Sequence, residues 1–173
     1  HQPVKLAAIE AIWETERGAP LLLFAWPDEE QEKNHFALGV PKLGSLIITH
    51  TLDGEIAGLK EVPRNERPPV APVFFAFRVM VGIGVLMLLL VIASGVQWRR
   101  GRLTESRALL KAWGIMTPAG FIAVLAGWYT TEIGRQPYVI YGLMRTDEAL
   151  SAIDAGSVAT SLIVFATVYL FVF

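Results

Sequence analysis

Cysteine is absent from this 173-residue chain, which excludes disulfides, zinc knuckles, iron–sulfur clusters and thiol catalysis. Charge is scarce as well. Only 18% of residues are charged and 53% are hydrophobic, against roughly 25% and 45–50% in soluble domains, so parts of the chain never need to face water. Neither sign is in excess, with 15 basic and 16 acidic side chains, and nothing supplies the surplus of cations that binding a nucleic-acid backbone requires. Disorder and collagen-like architecture are excluded too, and the length suits about one domain. The first residue is His1 rather than Met, and no basic-then-apolar signal segment opens the chain. The sequence reads as a piece of a longer one.

What is present is apolarity, gathered toward the C-terminal end. From Pro68 to Trp98 the only charge is Arg78, and the runs Ala112–Thr131 and Ala155–Phe173 carry none. A bilayer core of about 30 Å takes about 20 apolar helical residues, so each run can span, the third being cut off at Phe173. Pro68, Pro69 and Pro72 stand at the entry to the first run, Gln97-Trp98-Arg99-Arg100 closes it with an aromatic and basic belt, and Gly134 with Pro137 ends the second. The loop 99–111 holds five basic residues against Glu105 alone, while the segment 132–154 holds Arg135 and Arg145 against four acids. The positive-inside bias places loop 99–111 in the cytoplasm. Residues 1–70, with seven basic and eleven acidic side chains, belong on the opposite side.

The expected architecture is therefore an all-α integral membrane protein. Three transmembrane helices, the last truncated, occupy residues 71–173 and follow an extracytoplasmic loop region, residues 1–70. Pro3 to about Glu16 has Leu6, Ile9 and Trp13 at three- and four-residue spacing and reads as a short amphipathic helix lying at a surface. Leu21–Trp26 is apolar and flanked by prolines, Asp28–Lys33 is a solvated charge run, and Leu43–Thr51 has strand-like content.

Few residues stand out for chemistry. Arg78 lies inside the first span, where a charge costs about 2.5–3.5 kcal/mol near the centre and less if it snorkels. It reads either as an arginine reaching the headgroups or as the partner of an anion such as a cofactor carboxylate. Met80 is either packing or an axial thioether for haem iron, with Gly82 and Gly84 leaving the backbone open to a flat cofactor. Trp128, Glu132 and Arg135 share one helical face, as an interfacial belt with a local ion pair or as a metal or cofactor site. Lys5 and Glu10 read, on the residues alone, as the solvated face of a surface helix. His35 and His50 have no ligand-spaced partner and read as loop histidines, and there is no HExxH, phosphate loop or nucleophile elbow.

Three phrases in order, His1-Gln2-Pro3-Val4-Lys5-Leu6-Ala7-Ala8-Ile9-Glu10, Phe75-Ala76-Phe77-Arg78-Val79-Met80 and Gly134-Arg135-Gln136-Pro137-Tyr138 after Trp128 and Glu132, together resemble subunit I of the cytochrome bd ubiquinol oxidases. The resemblance covers essentially the whole chain but only the C-terminal part of that subunit, from the quinol-binding loop onward. It implies that Met80 is an axial ligand of the low-spin haem b, with Arg78 beside that haem. It implies that Glu132 ligates the high-spin haem b, with Trp128 and Arg135 lining the same region, and that Lys5 and Glu10 take part in quinol oxidation. The histidine ligands belong to the absent half, and none of the three histidines here inherits those roles.

The function so implied is that of a haem-containing quinol:oxygen oxidoreductase of the bacterial cytoplasmic membrane, contributing to proton motive force. Its partners would be the N-terminal half of the same subunit, a subunit II and a small accessory subunit, with membrane lipid, quinol and oxygen and no nucleic acid. The segment alone holds one ligand for each of two haems and is expected to be inactive. Two departures bear on subgroup: the stretch 60–72 is short where some members carry a long insertion, and Tyr138 stands where many have tryptophan. The second is a feature of cyanide-insensitive relatives whose haem complement differs, so haem d is left open. The rival readings are a non-enzymatic packing subunit and a transporter using Arg78 and Glu132 as a charge pathway.

Overall fold

The structure is a computed structural model, and it describes residues 2–149 and 153–172. His1 and Phe173, with which the loop phrase opens and the third apolar run closes, lie outside the described residues.

Helix α1 spans Pro3–Glu10, with proline in its first turn, where a missing N–H costs nothing. It stops well short of Glu16 because Ala11 turns into the left-handed region at φ 52°, its N–H and that of Ile12 folding back on the carbonyls of Ala8 and Ala7. The carbonyls of Ile12 and Trp13, which follow, accept from the N–H groups of Leu59 and Lys60. Nor does α1 lie free at a surface: Val4, Ala7, Ala8 and Glu10 are buried, and its apolar residues form one core with Leu22, Ala25, Leu59, Val70, Val73 and Phe74.

The N-terminal region is not all helical. A two-residue strand β1 (Glu16–Arg17) precedes an antiparallel hairpin of β2 (Leu21–Asp28) and β3 (Lys33–Val40). The charge run is the turn of this hairpin, where Asp28 Oδ1 accepts from the N–H groups of Glu30 and Gln31. His35 consequently sits on a strand, opposite Trp26 and 3.2 Å from Asp28 Oδ2. The strand-like stretch is instead helix α2 (Leu43–Thr49). Its centre is pinned from outside: Ser45, fully buried, accepts from the Ala19 N–H at 2.7 Å and donates to the Gly54 carbonyl at 2.8 Å. Those contacts override the β-branched content of Ile47, Ile48 and Thr49. Strand β4 (Glu55–Ile56) pairs with β1, and 3₁₀ turns at Leu59–Glu61 and Arg64–Glu66 lead to the first long helix.

Among the described residues, three stretches are long and apolar enough to cross a membrane, as the charge gaps indicate. Helix α3 runs Val70–Arg99, and 30 residues at 1.5 Å each make about 45 Å, more than a bilayer core. Its first N–H groups, on Val70 and Ala71, donate to Glu29 Oε1 at 2.8 and 3.3 Å. The second stretch is α4 (Arg107–Met116) and α5 (Ala119–Ile133), divided at Pro118, which has no N–H to continue the ladder. A small hairpin, β5 (Tyr138–Ile140) with β6 (Met144–Arg145), leads on to α6 (Ala155–Val172).

Helices α3 and the α4–α5 pair run antiparallel in a seven-residue register. A Cβ on Gly127 would lie 2.8 Å from Met80 Sδ, a Cβ on Gly120 would lie 3.9 Å from Met87 Cε, and Trp113 Nε1 donates to Ser94 Oγ at 3.0 Å. Each step of seven up α3 is matched by seven down its partner, with a small residue facing a large one each time. Such pairs let apolar helices approach without a hydrophobic drive between them.

Candidate functional site

The residues singled out in the sequence converge where α1 crosses the ends of α3 and α5. Glu10, at the last turn of α1, is buried, and its Oε2 lies 3.1 Å from Arg78 Nη2. The pair joins residues 68 apart in sequence, so no local spacing could have disclosed it. Arg78 therefore does have an anionic partner, and it is this protein's own carboxylate. The guanidinium also lies over the Phe74 ring, 3.4 Å from its centroid, in a cation–π contact that burial strengthens. Burial pushes the Glu10 carboxyl above its ordinary range, and the adjacent Arg78 charge pulls it back in part.

At the other side of α1, Lys5 Nζ donates to the Thr131 carbonyl at 3.2 Å, one residue before Glu132. Its aliphatic stem lies against Gly134, and it lines a small crevice with Glu66, Arg135 and Tyr138. Desolvation first, and the Arg135 charge second, hold the Lys5 ammonium below its usual value, with Glu132 opposing them. Lys5 and Glu10 are thus not a solvated face. One leans on the end of α5 and the other is locked to α3.

Met80 follows Arg78 by two residues, and its thioether is turned toward α5 at Gly127. Gly82 and Gly84 have open space where a side chain would stand. Glu132 and Arg135 form a long ion pair of 3.7 Å, both groups partly exposed, and Trp128 is exposed beside Tyr129 at a ring separation of 5.7 Å. The structure thus brings Lys5 to the Glu132–Arg135 turn and Glu10 to the Arg78–Met80 turn, with α1 bridging the two. Met80 and Glu132 stay apart: Glu132 lies five residues beyond the level of Gly127, about 7.5 Å along the helix. Among the described residues, no three His, Cys, Asp or Glu side chains gather to hold a metal ion.

Sequence reasoning passed over Gly127 and Glu29. Gly127 gives Met80 its room, and the signal for it was the Gly120/Gly127 spacing opposite Met80 and Met87. Glu29 lies in a charge run that had the marks of mere solvation, and nothing local tied it to the start of α3.

Residues 1–173 match the family described as Cytochrome bd terminal oxidase subunit I. Subunit 1 of the cytochrome bd-II ubiquinol oxidase of Escherichia coli (strain K12) is 34% identical over 234 aligned residues, covering 97% of this chain and 46% of the relative. Subunit 1 of the cytochrome bd ubiquinol oxidase of Bacillus subtilis (strain 168) is 36% identical over 183, covering 98% and 38%. The first alignment is much longer than the chain, so that relative carries inserted residues this chain lacks; the second leaves room for few. The bd oxidase structure from Geobacillus thermodenitrificans superposes with a TM-score of 0.73 at 35% identity, over 99% of this chain and 39% of its own. The chain spans less than half the length of these relatives. On the match along its whole length and the likeness of fold, the chain belongs to the cytochrome bd terminal oxidase subunit I family.

Proposed function

We propose that this chain is the quinol-oxidising and haem-holding C-terminal part of a quinol:oxygen oxidoreductase subunit in the bacterial cytoplasmic membrane, with residues 1–70 outside and loop 99–111 inside. The observation that carries the proposal is that α1 docks on both helices bearing candidate haem ligands, through Lys5 on α5 and Glu10 on α3. Lys5 donates to and orients a quinol oxygen, and Glu10 accepts a quinol proton; burial raises the pKa of its carboxyl, which makes the ionised form a stronger general base.

The donors fit haem. Met80 is a soft thioether on an apolar helix, suited to low-spin iron, and Glu132 is a hard carboxylate whose ion pair with Arg135 is a long one at 3.7 Å, suited to the high-spin haem b. Arg78 adds positive charge near Met80, and Trp128 and Arg135 line the Glu132 side. Haem bound there supplies the one-electron chemistry. The exposed apolar sides of α3, α5 and α6 suit lipid, the N-terminal half of the subunit and a subunit II. Whether haem d completes the set is decided by that other half.

The test is Lys5→Ala in the full-length subunit within its membrane complex. Quinol-driven oxygen uptake is expected to slow while the haem spectra stay nearly intact, because Lys5 lies outside the spans. Unchanged quinol kinetics would return α1 to a packing role.

A further inference from the structure

We infer that Asn34, on strand β3, is a positioning residue for quinol oxidation: its side-chain amide fixes the exit of α1 and with it the place of Glu10, a role that rests on reading α1 as the quinol-oxidising element. Asn34 Nδ2 donates to the Ala11 carbonyl at 2.8 Å, and Asn34 Oδ1 accepts from Trp13 Nε1 at 3.0 Å. These partners leave the amide one orientation, because an indole N–H can only donate and a backbone carbonyl can only accept. Ala11 follows Glu10 directly, and Trp13 comes two residues later. A side chain 23 positions away in sequence thus grips the chain just beyond the proposed proton acceptor.

Ala11 is the point at which α1 needs holding. Its φ of 52° is left-handed, a conformation that a Cβ disfavours and that persists only where the surroundings fix it. Ala11 and Trp13 are buried in one core with Ala7 and Ala8 of α1 and with Leu22 and Ala25 of β2. On the helix side, the Ile12 N–H reaches back to the Ala7 carbonyl at 2.9 Å; on the hairpin side, Asn34 holds the Ala11 carbonyl. That carbonyl and the Ile12 N–H belong to one rigid peptide plane. If the plane turns to find another donor for the carbonyl, the Ile12 N–H leaves Ala7 and the last turn of α1, where Glu10 sits, loosens. Aspartate has the same shape and still accepts from Trp13, but it sets an oxygen against the Ala11 oxygen; alanine makes neither bond. Lys5, at the other end of α1, has its own anchor on the Thr131 carbonyl, so the loss is felt at Glu10 rather than at Lys5.

The test uses the full-length oxidase complex with Asn34→Asp, Asn34→Ala and Trp13→Phe, the last keeping a buried ring while removing the N–H. Oxygen uptake is driven either by quinol or by reduced tetramethylphenylenediamine, a one-electron donor with no hydroxyl proton to lose. Misplacing a reacting group by about 1 Å costs on the order of a hundredfold, so kcat with quinol is expected to fall about ten- to a hundredfold in both Asn34 variants. The fall is smaller in Trp13→Phe, where the bond to Ala11 survives. KM for quinol and the diamine-driven rate stay within about twofold, because substrate binding at Lys5 and electron entry are untouched, and the haem spectra persist. Equal losses with both donors, or failure of all three variants to assemble, would make Asn34 a stability residue and overturn the proposal. So would wild-type quinol kcat in Asn34→Asp or in Asn34→Ala, which would mean that the bond to Ala11 is dispensable. Glu10→Gln, measured alongside, separates the two levels: if it leaves quinol turnover intact, the reading of α1 itself fails, whereas loss in Glu10→Gln without loss in the Asn34 variants sinks only the positioning role.

Discussion

Gly127→Ala is the substitution whose consequence the geometry determines most closely. A Cβ at Gly127 would stand 2.8 Å from Met80 Sδ and 3.8 Å from Met80 Cγ, while apolar heavy atoms settle at about 3.5–4.0 Å. The sulfur must therefore retreat by roughly 0.7 Å or more. The cost in stability is small, because the displaced atom is near the free end of a flexible side chain and because alanine gains up to about 1 kcal/mol over glycine in a helix. Metal ligation is less forgiving, since bond lengths hold within about 0.2 Å. Gly127→Ala in the full-length complex is thus expected to insert and assemble normally yet lose or shift the low-spin haem b band in a reduced-minus-oxidised spectrum. A wild-type band would refute the reasoning, showing either that Met80 is not the ligand or that its sulfur does not face Gly127 when haem is bound.

Two further outcomes follow from the loop region. Glu10 must be ionised to accept a proton, and burial raises its pKa, so quinol-dependent kcat/KM should fall with decreasing pH on a limb lying above the ordinary glutamate value of about 4.3. Glu10→Gln should lower the rate and abolish that limb; an identical acid limb in the variant would assign it to another group. Glu29→Ala removes the acceptor of the first two N–H groups of α3 and should cost about 1 kcal/mol, read as a lower Tm of the purified complex with unchanged haem spectra.

The membrane stretches were legible because charge is a one-dimensional signal: Asp, Glu, Lys and Arg are nearly absent from α3, α5 and α6. The division at Pro118 was missed: Ala112–Thr131 reads as one span, because a count of charges does not register a proline within an apolar run. The N-terminal region was harder. Leu21–Trp26 is too short an apolar run for periodicity to separate strand from buried helix, and α2 is helical against its local content because Ser45 bonds Ala19 and Gly54. The site residues came from the resemblance, but their arrangement did not. Glu10 looked solvated because its partner Arg78 lies 68 positions away, and only the fold supplies that distance.

The central claim is that this chain gives one axial ligand to each of two haems, Met80 to one and Glu132 to the other. Optical spectra of full-length Met80→Leu and Glu132→Ala complexes, recorded side by side, test it most directly. Leucine keeps the volume and cannot ligate iron, so Met80→Leu should lose the low-spin haem b signal and keep the high-spin one. Glu132→Ala should do the reverse and stop oxygen reduction, with Glu132→Asp retaining a little of both because its carboxylate falls one methylene short. Two wild-type spectra, or loss of the same band in both variants, would contradict the account.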